Sequence, residues 1–172
     1  MSKSEEVRRR AEELLVELEK LKDDRGAMAN LRRGLNQATE DRAWPWIARW
    51  CDLEKDWIRT IYTTVAAAYA TQPDAAAEGN LGATLRRIAM GGGKTEDGLA
   101  SFESRFRRLL ACQTTEEVCS RVGEVMRAAK QKGVPVNYTQ LFQDFWWWNG
   151  GRPKIAWAAQ FWGAPKEDGG GS

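Results

Sequence analysis

Apolar residues recur at the spacing of an α-helix in every strongly patterned segment of this chain. The clearest case is residues 4–22, where each residue turns the helix by about 100° and the apolar side chains therefore fall on one face. These side chains are Val7, Ala11, Leu14, Leu15, Leu18 and Leu21. No segment shows the sustained alternation of apolar and polar residues that marks a β-strand. The pattern predicts an all-α fold of about eight or nine helices.

Capping residues and helix breakers divide this pattern into separate helices. Ser4, Ser101 and Asn137 carry side chains that cap helix N-termini, Pro73 disfavours helical backbone before it, and Gly133 suits a helix C-terminus. We predict helices over 4–22, 25–35, 43–51, 54–71, 79–90, 101–111, 114 or 115 to 132, 137–149 and 152–162.

A glycine-rich stretch interrupts the helical pattern near the middle of the chain. We expect a loop at 91–98 and place the boundary between two packed helical subdomains at 91–100. The N-terminal subdomain is then 1–90, which includes an idealised helix at 1–24, and the C-terminal bundle is 101–165. Residues 166–172 end in GGGS, which is typical of a tail or linker.

Three consecutive tryptophans, Trp146, Trp147 and Trp148, stand near the end of one predicted helix. One face of a helix cannot hold all three, since they point in three directions. We expect Trp148 to lie in the core beside Phe145, Trp146 at the rim of the core, and Trp147 on the opposite, polar side. Something beyond this helix's own core must then cover Trp147, or it stays exposed.

The last predicted helix has two apolar faces. We expect the first face to pack alongside the tryptophan helix, leaving Trp157 and Phe161 on the second. The first face consists of Ile155, Ala158, Ala159 and Trp162. Either the second face or a neighbouring subunit would cover Trp147.

The residue inventory excludes several kinds of chemistry. The chain has no histidine, so Ser-His-Asp and Cys-His catalysis and histidine metal sites are excluded. Three cysteines without CxxC spacing suggest neither a zinc site nor a disulfide framework. The GGGKT sequence is not a phosphate loop, because Ile88 stands where the first glycine should be. We expect a cytoplasmic protein that is not an enzyme and needs no metal or cofactor.

Arginines occur in clusters on predicted helices. Residues 86–133 hold ten basic side chains against six acidic ones, so this segment is where a polyanion would bind. The clusters comprise Arg32, Arg33, Arg86, Arg87, Arg105, Arg107 and Arg108. Such arginines either follow a phosphate backbone or solvate a helix face and pair with acids. Spacing alone favours the second interpretation.

Several of these clusters belong to longer motifs. They are RGAMANLRRG at 25–34, GNLGATLRRIA at 79–89, SFESRFRRLLAC at 101–112, VPVNYTQLFQDFWWWN from 134 and KIAWAAQFWG ending at 163. In this order, the motifs resemble the small subunit of the type I-E CRISPR Cascade complex, the CasB family. The resemblance spans about 25–163.

The resemblance implies an all-α, non-catalytic subunit of an antiviral surveillance complex. Such subunits line the complex as two copies head to tail, contact the guide RNA and target-strand path, and help to hold the displaced strand of the R-loop. Contacts to the sugar–phosphate backbone are expected, since base pairing with the guide reads the sequence. The resemblance therefore favours a nucleic-acid role for the seven clustered arginines, and adds Arg152 and Lys154 as a late basic patch.

An alternative is an engineered protein on a CasB-like helical scaffold. Residues 4–22 consist of strong helix formers with dense opposed charges, and the chain ends in a linker-like sequence. Such a protein would act through a designed protein–protein interface, for which Trp46, Trp50, Trp57 and Trp147 are the candidates. Self-association as a homodimer is expected in either case, and a membrane partner in neither.

Overall fold

The computed structural model describes residues 1–91 and 95–163, without the side chains of 95–98. These residues form ten α-helices and no strand, so the all-α prediction is confirmed. The α-helices are α1 (Lys3–Lys20), α2 (Arg25–Arg32), α3 (Trp44–Ile47), α4 (Asp56–Thr71), α5 (Leu81–Met90), α6 (Thr95–Leu110), α7 (Thr115–Arg121), α8 (Gly123–Lys132), α9 (Tyr138–Trp146) and α10 (Arg152–Trp162). Short 3-10 helices occupy Arg33–Leu35, Glu40–Arg42 and Trp148–Gly150.

Helix α4 lies at the centre of the fold. Every side chain from Ile61 to Ala70 is buried, because this run is apolar or small on all sides and can be covered all round. Helices α1, α2, α7, α8 and α9 pack against it. No helix within 1–91 and 95–163 is long and apolar enough to cross a membrane.

Helix α1 begins earlier than its sequence pattern predicted. Ser2, not Ser4, is the N-cap: its hydroxyl accepts from the Glu5 backbone N–H at 3.1 Å, and the Glu5 carboxylate accepts from the Ser2 N–H at 2.7 Å. This reciprocal pair satisfies two backbone donors at once, which explains why Ser2 rather than Ser4 is the N-cap. The buried stripe contains Val7, Ala11, Leu14 and Leu18, as the periodicity predicted.

Helix α6 also begins earlier than predicted. It starts at Thr95, so Ser101 lies inside the helix rather than at its N-cap, and the predicted loop at 91–98 and boundary at 91–100 extend too far. Residues 92–94, which include the lysine of GGGKT, lie outside the described residues, as does the predicted tail at 166–172. Helix α1 packs on α9 and α10 packs on α5, so the two predicted subdomains share contacts, and their division stays a prediction.

The predicted helix ending at 132 is two helices. It breaks at Val122, between α7 and α8, while Thr114 caps its start and Gly133 ends it in the left-handed conformation with φ of 68°. Asn137 caps α9 as predicted, since its side-chain oxygen accepts from the Gln140 backbone N–H at 3.1 Å.

The tryptophan run spans a change of backbone conformation. Helix α9 ends at Trp146, and Trp148 belongs to a 3-10 helix that leads to Gly151, whose φ of 80° reverses the chain. Trp148 is fully buried, Trp146 is half-buried and Trp147 is 38% exposed, which confirms the three predicted environments.

The two faces of α10 are the reverse of the prediction. Trp157 and Phe161 are fully buried, whereas Ile155 is 73% and Trp162 40% exposed. Trp157 turns inward because its ring packs 4.8 Å from the Trp148 ring and its N–H finds a buried acceptor on α9. The second face of α10 therefore enters the core and does not cover Trp147.

Candidate nucleic-acid interface

The nine basic residues predicted to contact nucleic acid are distributed over several elements. They lie at the end of α2, on α5, on α6 and at the start of α10. The structure does not gather all of them into one site, and it ties some of them to other parts of the fold.

Two of these arginines connect helices through backbone carbonyls. The Arg32 Nε donates to the Ala70 carbonyl at 3.0 Å, which joins the end of α2 to α4. The Arg86 Nη1 donates to the Phe161 carbonyl at 2.7 Å, which joins α5 to α10. The next residue in each cluster, Arg33 or Arg87, is exposed.

Arg107 is engaged apart from the other arginines of α6. It forms an ion pair with Glu103 at 3.3 Å, and its guanidinium lies 5.0 Å from the Trp162 ring. The Trp162 Nε1 also donates to Glu103 at 3.1 Å. At the start of α10, the Lys154 ammonium lies 5.6 Å from the Trp148 ring.

The other two arginines of α6 share a groove with two arginines that the sequence analysis did not select. Arg105 and Arg108 line a groove of about 220 Å³ together with Arg121 and Arg127, and we call it the arginine groove. Glu124 is the one acidic side chain in its lining. Its walls come from α6, the end of α7 and the first turns of α8.

The break between α7 and α8 places the second pair of arginines. Arg121 ends α7, and Arg127 lies one turn into α8, above Gly123. A methyl group at Gly123 would lie 3.4 Å from the Arg127 Nη1, so the glycine leaves room for this guanidinium to fold back over the helix start. The groove thus depends on the helix break at Val122, where one continuous helix was predicted.

The four arginines of the groove lack acidic partners. None of them forms an ion pair with a carboxylate in the described part of the chain, although Arg8, Arg9, Arg10, Arg59 and Arg107 all do. Arg105 instead lies 5.3 Å from the Phe102 ring. Four exposed, unneutralised guanidinium groups around one concavity attract an anion.

The tryptophans predicted as interface candidates fall into two groups. Trp46 and Trp50 are half-buried and pack against the core. Trp57 is 40% exposed and meets the Trp146 ring edge-on at 4.7 Å, while Trp147 is 38% exposed. Trp147 lines a second groove, of about 670 Å³, with Asp144, Arg152 and Pro153.

The cysteines do not provide a reactive centre. Burial raises the pKa of the Cys51 thiol to about 11 and raises the pKa of Cys112 and Cys119 as well, so all three stay protonated at neutral pH. No cluster of His, Cys, Asp or Glu that could hold a metal ion occurs in the described ranges.

Comparison with known proteins identifies the family. The family model of the CRISPR-associated protein Cse2 matches residues 27–162, which is most of the chain. The chain belongs to the Cse2 family. The family match confirms the resemblance to the CasB family. A search of curated proteins found no significant match.

Two solved structures from Thermus thermophilus share the fold of this Cse2-family chain. CasB superposes with a TM-score of 0.69 at 24% identity, and the Cse2-family CRISPR-associated protein TTHB189 with a TM-score of 0.68 at 25% identity. Each superposition covers 95% of this chain and 100% of the other.

The sequence carried only a weak signal for Arg121 and Arg127. The basic surplus over 86–133 includes both, but neither belongs to a cluster of neighbouring arginines. Adjacent residues on a helix point about 100° apart, so a doublet cannot face one groove as a pair. Arg105 and Arg108, three residues apart, do share a face.

Proposed function

We propose that this Cse2-family chain is a non-catalytic small subunit of a type I-E CRISPR surveillance complex. In that complex it binds the sugar–phosphate backbone of the guide RNA, the target strand and the displaced strand, and so stabilises the R-loop. It would act in the cytoplasm as part of antiviral defence. Membership of the Cse2 family supports the proposal that the chain is a subunit of this complex. The arginine groove supports the proposal that it contacts nucleic acid.

The observation that carries the nucleic-acid part is the convergence of four unpaired arginines on one groove. Arginine forms two parallel hydrogen bonds to a phosphate and stays charged at any physiological pH. Contacts of this kind position a strand without reading its sequence, which suits a complex in which the guide does the reading. Arg32, Arg33, Arg86, Arg87, Arg107, Arg152 and Lys154 stay predictions as further contacts outside the groove.

A mobility-shift titration with R-loop DNA at 50 mM and 200 mM salt tests this function. Four phosphate contacts should release enough counterions to weaken binding by about 50- to 150-fold over this range. The pair Arg108→Gln and Arg121→Gln should lower affinity about equally for unrelated sequences and reduce the salt dependence by about one unit of slope per arginine.

The matched control for that experiment removes an arginine elsewhere on the surface. Arg8 is exposed on α1 and pairs with Glu12 at 3.9 Å, so Arg8→Gln makes the same chemical change far from the groove. It should leave the affinity and its salt dependence unchanged. Binding that does not respond to salt, or a loss confined to one DNA sequence, would contradict backbone contact.

A second surface supports contacts with other subunits or with a second copy of the chain. The outer face of α10 exposes Ile155 and Trp162, and Trp147 lies exposed beside the first turn of the same helix. Large apolar side chains on a surface mark protein interfaces. A redesigned partner surface would use the same residues. Light scattering after size exclusion tests this, since self-association through such a face should be insensitive to salt.

A further inference from the structure

The arginine groove has an apolar floor as well as a basic rim. Leu85, Leu109 and Val125 are buried beneath it, and Leu35 and Phe102 are half-buried in its wall. A site that holds only a phosphate has no use for such a lining, because a phosphate gains nothing from contact with leucine. The lining matches a ligand with an anionic part and a flat apolar part.

The volume of the arginine groove and the aromatic ring of Phe102 restrict the class of ligand further. A volume of about 220 Å³ is below the ~300–1,000 Å³ of pockets that hold drug-sized molecules, so the groove takes one small ring system. At its wall the Arg105 guanidinium lies over the Phe102 ring, 5.3 Å from the ring centroid, which places two planar groups together. Unpaired bases stack on aromatic rings and on guanidinium planes of this kind.

We propose that the arginine groove takes an unpaired nucleotide, with its base at Phe102 and Arg105 and its flanking phosphates on Arg108, Arg121 and Arg127. A base inside a duplex is stacked on both sides and cannot enter, so the groove selects single-stranded nucleic acid over duplex. This inference rests on the proposed function and adds to it the class of strand and the part of the nucleotide that is held.

Anisotropy titrations with three labelled probes test the inference. The probes are a mixed-sequence single strand of DNA, a strand of the same length made entirely of abasic sites, and the corresponding duplex. The wild-type protein should bind the normal strand about tenfold or more tighter than the abasic strand, which lacks stacking, and also tighter than the duplex. Equal affinity for the normal and abasic strands, or tighter binding of the duplex, would overturn the inference.

Two variants separate the base contact from the phosphate contacts. Phe102→Leu keeps an apolar side chain but removes the ring, so it should abolish the preference for the normal strand and leave the salt dependence unchanged. Arg108→Gln should reduce the salt dependence for the normal and abasic strands alike. If Phe102→Leu, with a wild-type melting temperature, retains the full preference, stacking on Phe102 is wrong.

The same titrations distinguish this inference from the function on which it rests. If the abasic and normal strands bind equally but with strong salt dependence, backbone binding stands and base insertion fails. If no strand binds even at 50 mM salt, both fail. Tighter binding of an acidic, tyrosine-containing peptide of equal charge would assign the groove to a protein segment and overturn the inference.

Discussion

The Trp157 indole donates a 2.7 Å hydrogen bond to the Asp144 carboxylate, and this bond joins α10 to α9 inside the core. Gln140 donates to the other carboxylate oxygen at 2.9 Å. No cation pairs with Asp144 in the described part of the chain, so burial dominates and raises its pKa from 3.8 to about 6, while the two hydrogen bonds act in the opposite direction. Asp144 is therefore a titrating link between two helices.

Asp144 should make the protein more stable in mild acid than at neutral pH. The folded state keeps the proton up to about pH 6, whereas the unfolded chain loses it near 3.8, so the contribution is complete below 3.8 and disappears as the pH rises through 6. Between pH 7 and pH 4.5, the wild type should gain about 2 kcal/mol of unfolding free energy relative to Asp144→Asn. Urea unfolding of both proteins measures this, and parallel pH profiles would contradict it.

Replacing Trp157 by phenylalanine should remove the hydrogen bond while keeping an aromatic ring. Since that bond favours the ionised carboxylate, its loss should raise the pKa of Asp144 further. We expect Trp157→Phe to destabilise the protein more at pH 7 than at pH 5, with the pH-dependent part about 1 kcal/mol. The cavity left by the smaller ring costs the same at both pH values, so urea unfolding at the two separates the effects. An equal loss at both would show that the bond has no influence on titration.

Gly82 should be essential for the contact between α5 and α10. A methyl group at Gly82 would lie 2.1 Å from the Trp157 carbonyl oxygen, and only a movement of the whole backbone could relieve this overlap. Gly82→Ala should therefore lower the free energy of unfolding by about 3 kcal/mol or more. Gly150→Ala is the matched control, because nothing lies within 4 Å of its added methyl group, and it should unfold like the wild type. Thermal melts followed by circular dichroism make the comparison.

The sequence predicted which segments are helical because apolar periodicity is a local property. It placed α1, α4 and α9 within a few residues and identified Asn137 as a cap. The prediction for the start of α6 was wrong, because the helix begins at Thr95, inside a glycine-rich segment that was predicted to be a loop. The prediction for α10 was also wrong, since both faces are apolar and only contacts with other helices decide between them.

The arginine groove was less accessible from the sequence. Arg105 and Arg108 were selected, but Arg121 and Arg127 were not, because the groove forms only when α7 ends at Arg121 and α8 turns beside α6. That break lies at Val122, in a run whose composition otherwise favours one continuous helix. A site made by four arginines from distant parts of the sequence could not be predicted from residue types alone.

Trp147→Ala should weaken association more than it weakens folding. Trp147 is 38% exposed and the buried face of α10 does not cover it, so its truncation should cost the monomer clearly less than truncation of a fully buried tryptophan. The neighbouring Trp148 is fully buried and donates to the Cys112 carbonyl at 3.0 Å, so Trp148→Ala should cost about 3–5 kcal/mol. Urea unfolding gives the stabilities, and light scattering over a range of protein concentrations gives the association. A Trp147→Ala protein as destabilised as Trp148→Ala, with unchanged association, would place Trp147 in the fold rather than in an interface.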